Sequence, residues 1–398
     1  MTSLSNLLAL PLAEKTARGL LHTPQEIAQQ PKTWRGTLAR FDHYAASLRE
    51  FLTQAGLQTA VEQRPTVLLI GAGTSDYISR VLTILLRQEW GCEVMAVAST
   101  DLLANLEDYV VEGRRYLWIS FSRSGDSPEG VAVLEQALRK YPQIAQLIVT
   151  CNPRSRMAEV SRASGRAFVA VLEDEVNDRG LAMTSSFTNM VIFGQCLAHA
   201  WEIEKYRPTL EQLAQAAESF LAAASERASV LAKSGFSRIC FVGSGSFAGL
   251  AKESALKVLE MSAGQIKTMS ETVLGLRHGP MAALDRETLF VCFVSSDWRR
   301  QQYEMDLLRE IEAKGIVASR LAIGPKAAES AVAPLCDNYL AIDAEVADLY
   351  RAPVDVIFGQ LLGLYCSIEH GMKPDAPSPD GVISRVVQSF QIYSEIAR

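Results

Sequence analysis

Two landmarks in this chain recur at a single offset, which restricts its fold more than any other feature. An apolar run at residues 66–70 ends in Gly71-Ala72-Gly73-Thr74-Ser75, and a run at 238–242 ends in Gly243-Ser244-Gly245-Ser246. Gly243 lies 172 residues after Gly71; Ser296, just past the apolar run 288–294, lies 172 residues after Ser124. Two landmarks at one spacing indicate a duplicated domain. In the first copy, strands expected at 66–70, 116–120, 146–150 and 167–172 are interleaved with helical patterns at 77–88 and 129–141. Strands alternating with helices through short loops predict an α/β fold, a doubly wound, mostly parallel sheet covered on both faces.

At 398 residues the chain exceeds the size at which one hydrophobic core stops growing, so two such domains in tandem are expected. Thr23-Pro24-Gln25-Glu26 reads as a capping box opening a helix that stops before Pro31, and a second helical pattern runs from 34 to about 55. The division follows: a short N-terminal helical segment (1–50), a first domain (51–215) and a second (216–398), joined by the helical stretch 209–234.

A net charge of −6 gives no reason to expect nucleic acid or an anionic membrane as partner. The N-terminal leucine run lacks a basic flank and is broken by Pro11 and Glu14, so neither a signal peptide nor a membrane span is expected. The seven cysteines are scattered without a CxxC pair, five of them in apolar runs, which predicts buried free thiols in a reducing cytoplasm. The five histidines are dispersed, and no metal-ligand set or metal site is expected.

In an open parallel sheet, ligands bind at the carboxyl ends of strands. Thr74 and Ser75, and Ser122, Ser124 and Ser127, lie at two such ends, each group just before a helix. Helix N-termini and clustered hydroxyls can cradle a phosphate without a lysine. The same residues are also good N-caps, so each alone admits a purely structural reading. GxxxxGK[ST] is absent, which excludes a nucleotide P-loop. Gly243 to Ala248 satisfies GxGxx[GA], but the first copy has Asp76 in the third place and no acidic residue ends the next strand at the required distance. A dinucleotide site is therefore disfavoured, and no cofactor is expected.

The segment 255–280 carries ionisable groups in unusual places. Lys257 and Glu260 are one helical turn apart in an otherwise apolar run, and His278 sits in the turn Arg277-His278-Gly279-Pro280. A carboxylate in apolar company tends to a raised pKa and imidazole titrates near neutrality, so the two can move protons. A surface i,i+3 pair and a solvated turn histidine fit the same residues.

Taken together, Gly73-Thr74-Ser75, Ser122-Arg123-Ser124-Gly125-Asp126-Ser127, Glu253-Ser-Ala-Leu-Lys-x-x-Glu260 and Arg277-His-Gly-Pro280 resemble the tandem sugar isomerase (SIS) domains of glucosamine-6-phosphate synthase, flavodoxin-like in fold. The resemblance covers nearly the whole chain but not the synthase's N-terminal glutaminase, which favours the reverse, hydrolytic direction. The preamble from Thr23 to Trp34, the segment Asp178-Arg-Gly-Leu-Ala-Met-Thr-Ser-Ser186 and the tail from Ser378 to Val387 resemble the AgaS-type galactosamine-6-phosphate deaminase/isomerase branch, also known as tagatose-6-phosphate ketose/aldose isomerases.

The resemblance implies that Thr74, Ser75, Ser122, Ser124 and Ser127, with Arg123, hold the sugar 6-phosphate, while Thr184, Ser185 and Ser186 contact the sugar. Glu260 would move the proton between C2 and C1, with Lys257 orienting it. His278 would open the pyranose ring, reaching into a neighbouring subunit of a homodimer or higher homo-oligomer. Arg385 stands where the synthase has a catalytic lysine; an arginine forms no Schiff base. The expected activity is deamination of galactosamine 6-phosphate to tagatose 6-phosphate. Glucosamine 6-phosphate, isomerisation without deamination, and a non-catalytic sugar-phosphate sensor are the alternatives. A sensor of the transcription-factor type would carry a helix-turn-helix domain, which the preamble lacks.

Overall fold

The computed structural model describes residues 2–162, 164–378 and 380–393. Among them, five strands form a first parallel sheet: β1 (Thr66–Gly71), β2 (Val94–Ala98), β3 (Tyr116–Ser122), β4 (Ala145–Thr150) and β5 (Ala167–Val171), in the order β2-β1-β3-β4-β5. Five more form a second: β6 (Arg238–Val242), β7 (Lys267–Glu271), β8 (Thr288–Phe293), β9 (Ser319–Pro325) and β10 (Asn338–Ile342), in the order β10-β9-β8-β6-β7. Read from the other edge, the second order is the first again. The tandem α/β, doubly wound architecture expected from the repeat is present.

The expected strands all form, because uninterrupted apolar runs such as Val67–Ile70 bury both faces, as a helix-covered parallel sheet requires. β2, β7, β9 and β10 carried no equally clear run: β7 is Lys-Thr-Met-Ser-Glu and none of its residues is fully buried. The repeat extends to the backbone of the turn after the first strand of each copy. Gly73 (φ +56°, ψ −125°) and Gly245 (φ +60°, ψ −127°) share a conformation that a side chain would strain, and each starts a helix.

One apolar core runs from the N-terminal helices through both halves, joining Trp34 and Phe41 to Phe187 and Phe193, and these to Phe247 and Leu361. The outer faces of the sheets carry separate clusters. The helix Ile203–Ala232, which contains position 215, packs on the helix Asp348–Glu369, and that helix packs on Ser246–Met261. Gly363 makes the second approach close enough: a Cβ there would stand 2.9 Å from the Lys257 carbonyl oxygen.

The N-terminal capping box does not form. The helix Thr23–Ala28 begins without a side-chain cap. Instead the Asp375 carboxylate, from the far end of the chain, accepts from the backbone N–H of Leu21, His22 and Thr23. Glu26 turns away to accept from the N–H groups of Arg179 and Gly180. All seven cysteines are free, and five are buried. Among the described residues, no helix is long and apolar enough to cross a membrane.

Candidate active site

A cavity of about 560 Å³ opens at the carboxyl ends of β1 and β3, where the strand order reverses. Its walls include Thr74 and Ser75 after β1, Ser122, Arg123, Ser124 and Ser127 after β3, Glu260 from the second half, and the tail segment 381–388. The helices Thr74–Trp90 and Pro128–Lys140 both begin here, so two helix N-termini supply positive potential.

The hydroxyls are not spent on capping. Ser127 occupies the N-cap position of Pro128–Lys140 but makes no side-chain capping bond. Ser122 Oγ accepts from Gly125 N at 3.1 Å and Ser124 Oγ from Asp126 N at 3.2 Å, which shapes the loop and leaves each O–H to donate. The Arg123 side chain turns into the protein: Nη1 donates to Leu181 O at 3.2 Å and Nη2 to Arg385 O at 2.6 Å, while Nε is buried without a partner. Burial pulls its guanidinium pKa down.

The charged centre lies where the two halves meet. Lys257 is fully buried, and its Nζ donates to Glu260 Oε2 at 2.8 Å and to Thr74 Oγ1 at 2.9 Å, with Glu253 Oε1 3.4 Å away. Burial pulls the ammonium pKa down, but Glu253 and Glu260 outweigh it and hold it above its usual value. Glu260 borders the cavity, with its side chain about a quarter exposed (24%). The apolar company expected around it is found more fully at Glu253, two turns earlier, whose carboxyl is pushed up to about 8 by burial, against the pull of Lys257. Glu253 had no assigned role in the sequence, although its i,i+4 spacing to Lys257 was visible.

Other expected site residues lie elsewhere. Thr184, Ser185 and Ser186 are completely buried and do not border the cavity. Asp178 takes their donors: Thr184 N at 2.9 Å, Thr184 Oγ1 at 3.0 Å, Ser185 N at 2.9 Å, Ser186 N at 2.8 Å, and Ser186 Oγ. The Asp178 carbonyl in turn accepts from Arg385 Nε and Nη2 at 2.8 and 2.6 Å, and Arg385 Nη2 also reaches Asn177 Oδ1. Arg385 thus borders the cavity but spends these donors holding the tail across it. His278 follows the turn Gly275–Arg277, which an Arg277–Glu310 ion pair anchors at 2.7 Å; it is exposed and lies outside this chain's own cavity.

This arrangement offers neutral donors and helix termini for an oxyanion, and a partly exposed carboxylate held by a charged lysine for proton transfer. No protein-family model matches the chain. The D-galactosamine-6-phosphate deaminase AgaS of Escherichia coli O157:H7 is 34% identical over 374 residues, covering 93% of this chain and 95% of its own. An AgaS protein of Streptomyces coelicolor is 37% identical over 379 residues, covering 94% and 96%. The crystal structure of tagatose-6-phosphate ketose/aldose isomerase from Escherichia coli superposes with a TM-score of 0.82 at 32% identity, covering 92% of this chain and 97% of that one. With this likeness over nearly its whole length, the chain belongs to the AgaS D-galactosamine-6-phosphate deaminase family, built on tandem SIS domains.

Proposed function

We propose that this protein converts D-galactosamine 6-phosphate and water to D-tagatose 6-phosphate and ammonia. The observation that carries the reading is the Lys257 ammonium, which joins Glu260, the proton carrier, to Thr74 of the phosphate cradle within one cavity. The phosphate binds among Thr74, Ser75, Ser122, Ser124 and Ser127 at the two helix N-termini, and Arg123 acts from behind by shaping the loop. Glu260 takes the C2 proton of the open-chain amino aldehyde and returns it to C1, giving a ketose imine. Water adds to the imine carbon and ammonia leaves. Lys257 keeps Glu260 oriented through the hydrogen bond from its ammonium. Arg385 forms no Schiff base; it fixes the tail that covers the sugar.

His278 opens the ring from a neighbouring subunit, which is why an exposed imidazole outside its own chain's cavity fits the reading. The protein works as a homodimer or higher homo-oligomer. It acts in the cytoplasm, consistent with seven unpaired thiols. The test is ammonia release measured in parallel from galactosamine 6-phosphate and glucosamine 6-phosphate. Faster release from the galacto epimer is expected; release from neither would reject the proposal.

A further inference from the structure

The second repeat keeps its own version of the cradle and fills it with one of the chain's own carboxylates. Gly245 repeats the backbone of Gly73, and Ser246 stands where Thr74 stands. Ser295 and Ser296 lie 172 residues after Arg123 and Ser124, past the end of β8, next to β6 as β3 is next to β1. In the first repeat these positions open into the cavity. In the second, Asp348, the first residue of the helix Asp348–Glu369, lies among them with 4% exposure.

Its Oδ1 accepts from Ser296 N at 2.8 Å and from Ser296 Oγ at 2.9 Å, and its Oδ2 is hydrogen-bonded to Ser295 Oγ. Arg300 Nη1 lies 3.4 Å from Oδ2, and Arg351 Nη1 lies 3.4 Å from Oδ1. A backbone amide, two hydroxyls and two guanidinium groups converging on two oxygens are what an oxyanion receives. The Ser246 hydroxyl, in the place of Thr74, is buried and makes no hydrogen bond. One donor is committed elsewhere, since Ser295 N goes to Glu304 Oε2 at 2.8 Å.

We propose that this cluster is a second phosphate-type oxyanion cradle which Asp348 occupies, so that the chain takes phosphate only in its first repeat. The first-repeat half of that statement rests on the function proposed above. A carboxylate held in place by the fold competes at an effective concentration that free phosphate does not match. Shortening Asp348 removes the competitor and leaves Ser296 N, both hydroxyls and two arginines for a tetrahedral anion. Arg351 remains partly balanced by Asp355, which it meets at 2.8 Å.

The experiment counts equivalents of inorganic phosphate bound per chain by titration calorimetry, for the wild type, Asp348→Asn, Asp348→Ser and Asp348→Gly. Wild type and Asp348→Asn, in which a side chain of the same shape still fills the cradle, are expected to bind one equivalent. Asp348→Ser and Asp348→Gly are expected to bind two, and phosphate should raise their Tm more than that of the wild type. A second equivalent on the wild type overturns the proposal, as does a folded Asp348→Ser that gains none. If both truncated variants fail to fold, the wild-type count decides, one equivalent supporting the proposal. Wild type binding none while Asp348→Ser binds one would reject the first-repeat reading and uphold the Asp348 occupancy.

Discussion

Lys257 Nζ lies 2.9 Å from Thr74 Oγ1, and this bond crosses from the second repeat to the first. The same ammonium holds Glu260, so the groups assigned to phosphate and proton are braced by one buried charge. Phosphate binding and proton transfer should nevertheless separate in variants, because different atoms perform them.

Glu260→Gln should reduce kcat by at least the factor of about 10²–10⁴ typical of losing a general base, with sugar-phosphate binding nearly unchanged. The amide has the carboxylate's shape without its basicity. In deuterated water, wild-type product should carry deuterium at C1. Substantial deaminase activity in Glu260→Gln would remove the carboxylate from the mechanism.

Ser122→Ala and Ser124→Ala should each raise KM for the sugar phosphate, with a loss of about 1.5–3 kcal/mol, the range for hydrogen bonds to charged groups. Each hydroxyl also accepts a loop amide, so a modest fall in Tm should accompany the effect. Unchanged KM with lower Tm would make these serines structural and place the phosphate elsewhere.

Mixing inactive Glu260→Gln with inactive His278→Asn subunits should restore part of the activity if His278 serves a neighbour's cavity. The mixed assembly then contains sites with both residues intact. No recovery, with subunit exchange demonstrated by native mass spectrometry, would confine each site to one chain.

Stability should fall as pH rises from about 5 to about 8. Burial pushes the carboxyls of Glu253 and Glu26 up to about 8 and that of Glu304 up to about 7, from a usual 4.5. Across that window the folded chain binds more protons than the unfolded chain, so each added pH unit favours unfolding. These groups contribute fully below the ordinary carboxylate range, and the contribution is lost as pH passes their folded values. Glu253→Gln should flatten the slope by about 1–3 kcal/mol over the window in urea titrations at several pH values. An identical slope would show that Glu253 does not titrate there.

The tandem α/β architecture was legible because its signals are local or periodic. Apolar runs mark β1, β3 and β8, and Gly71 and Ser124 recur at one offset in Gly243 and Ser296. Lys257 and Glu260 were legible as a pair because a helix brings residues three apart together. The weaker strands were not: β7, polar apart from Met269, forms because β6 beside it supplies its hydrogen-bond ladder.

By itself the sequence determined the repeat, the parallel sheets and the chemical groups available at their strand ends. Only the tertiary structure decided which groups face the cavity. Thr184, Ser185 and Ser186 read as free hydroxyls until Asp178 is seen to take the hydroxyls of Thr184 and Ser186 and the backbone N–H of Ser185, and the Thr23 capping box yields to Asp375, more than 350 positions away. Arg385 reads as a catalytic cation until its donors are found on Asn177 and Asp178. The physical reason is that hydrogen-bond donors and charges must be satisfied once buried, by whichever partner the folded chain brings within reach. That partner depends on packing between distant segments, which local spacing does not encode.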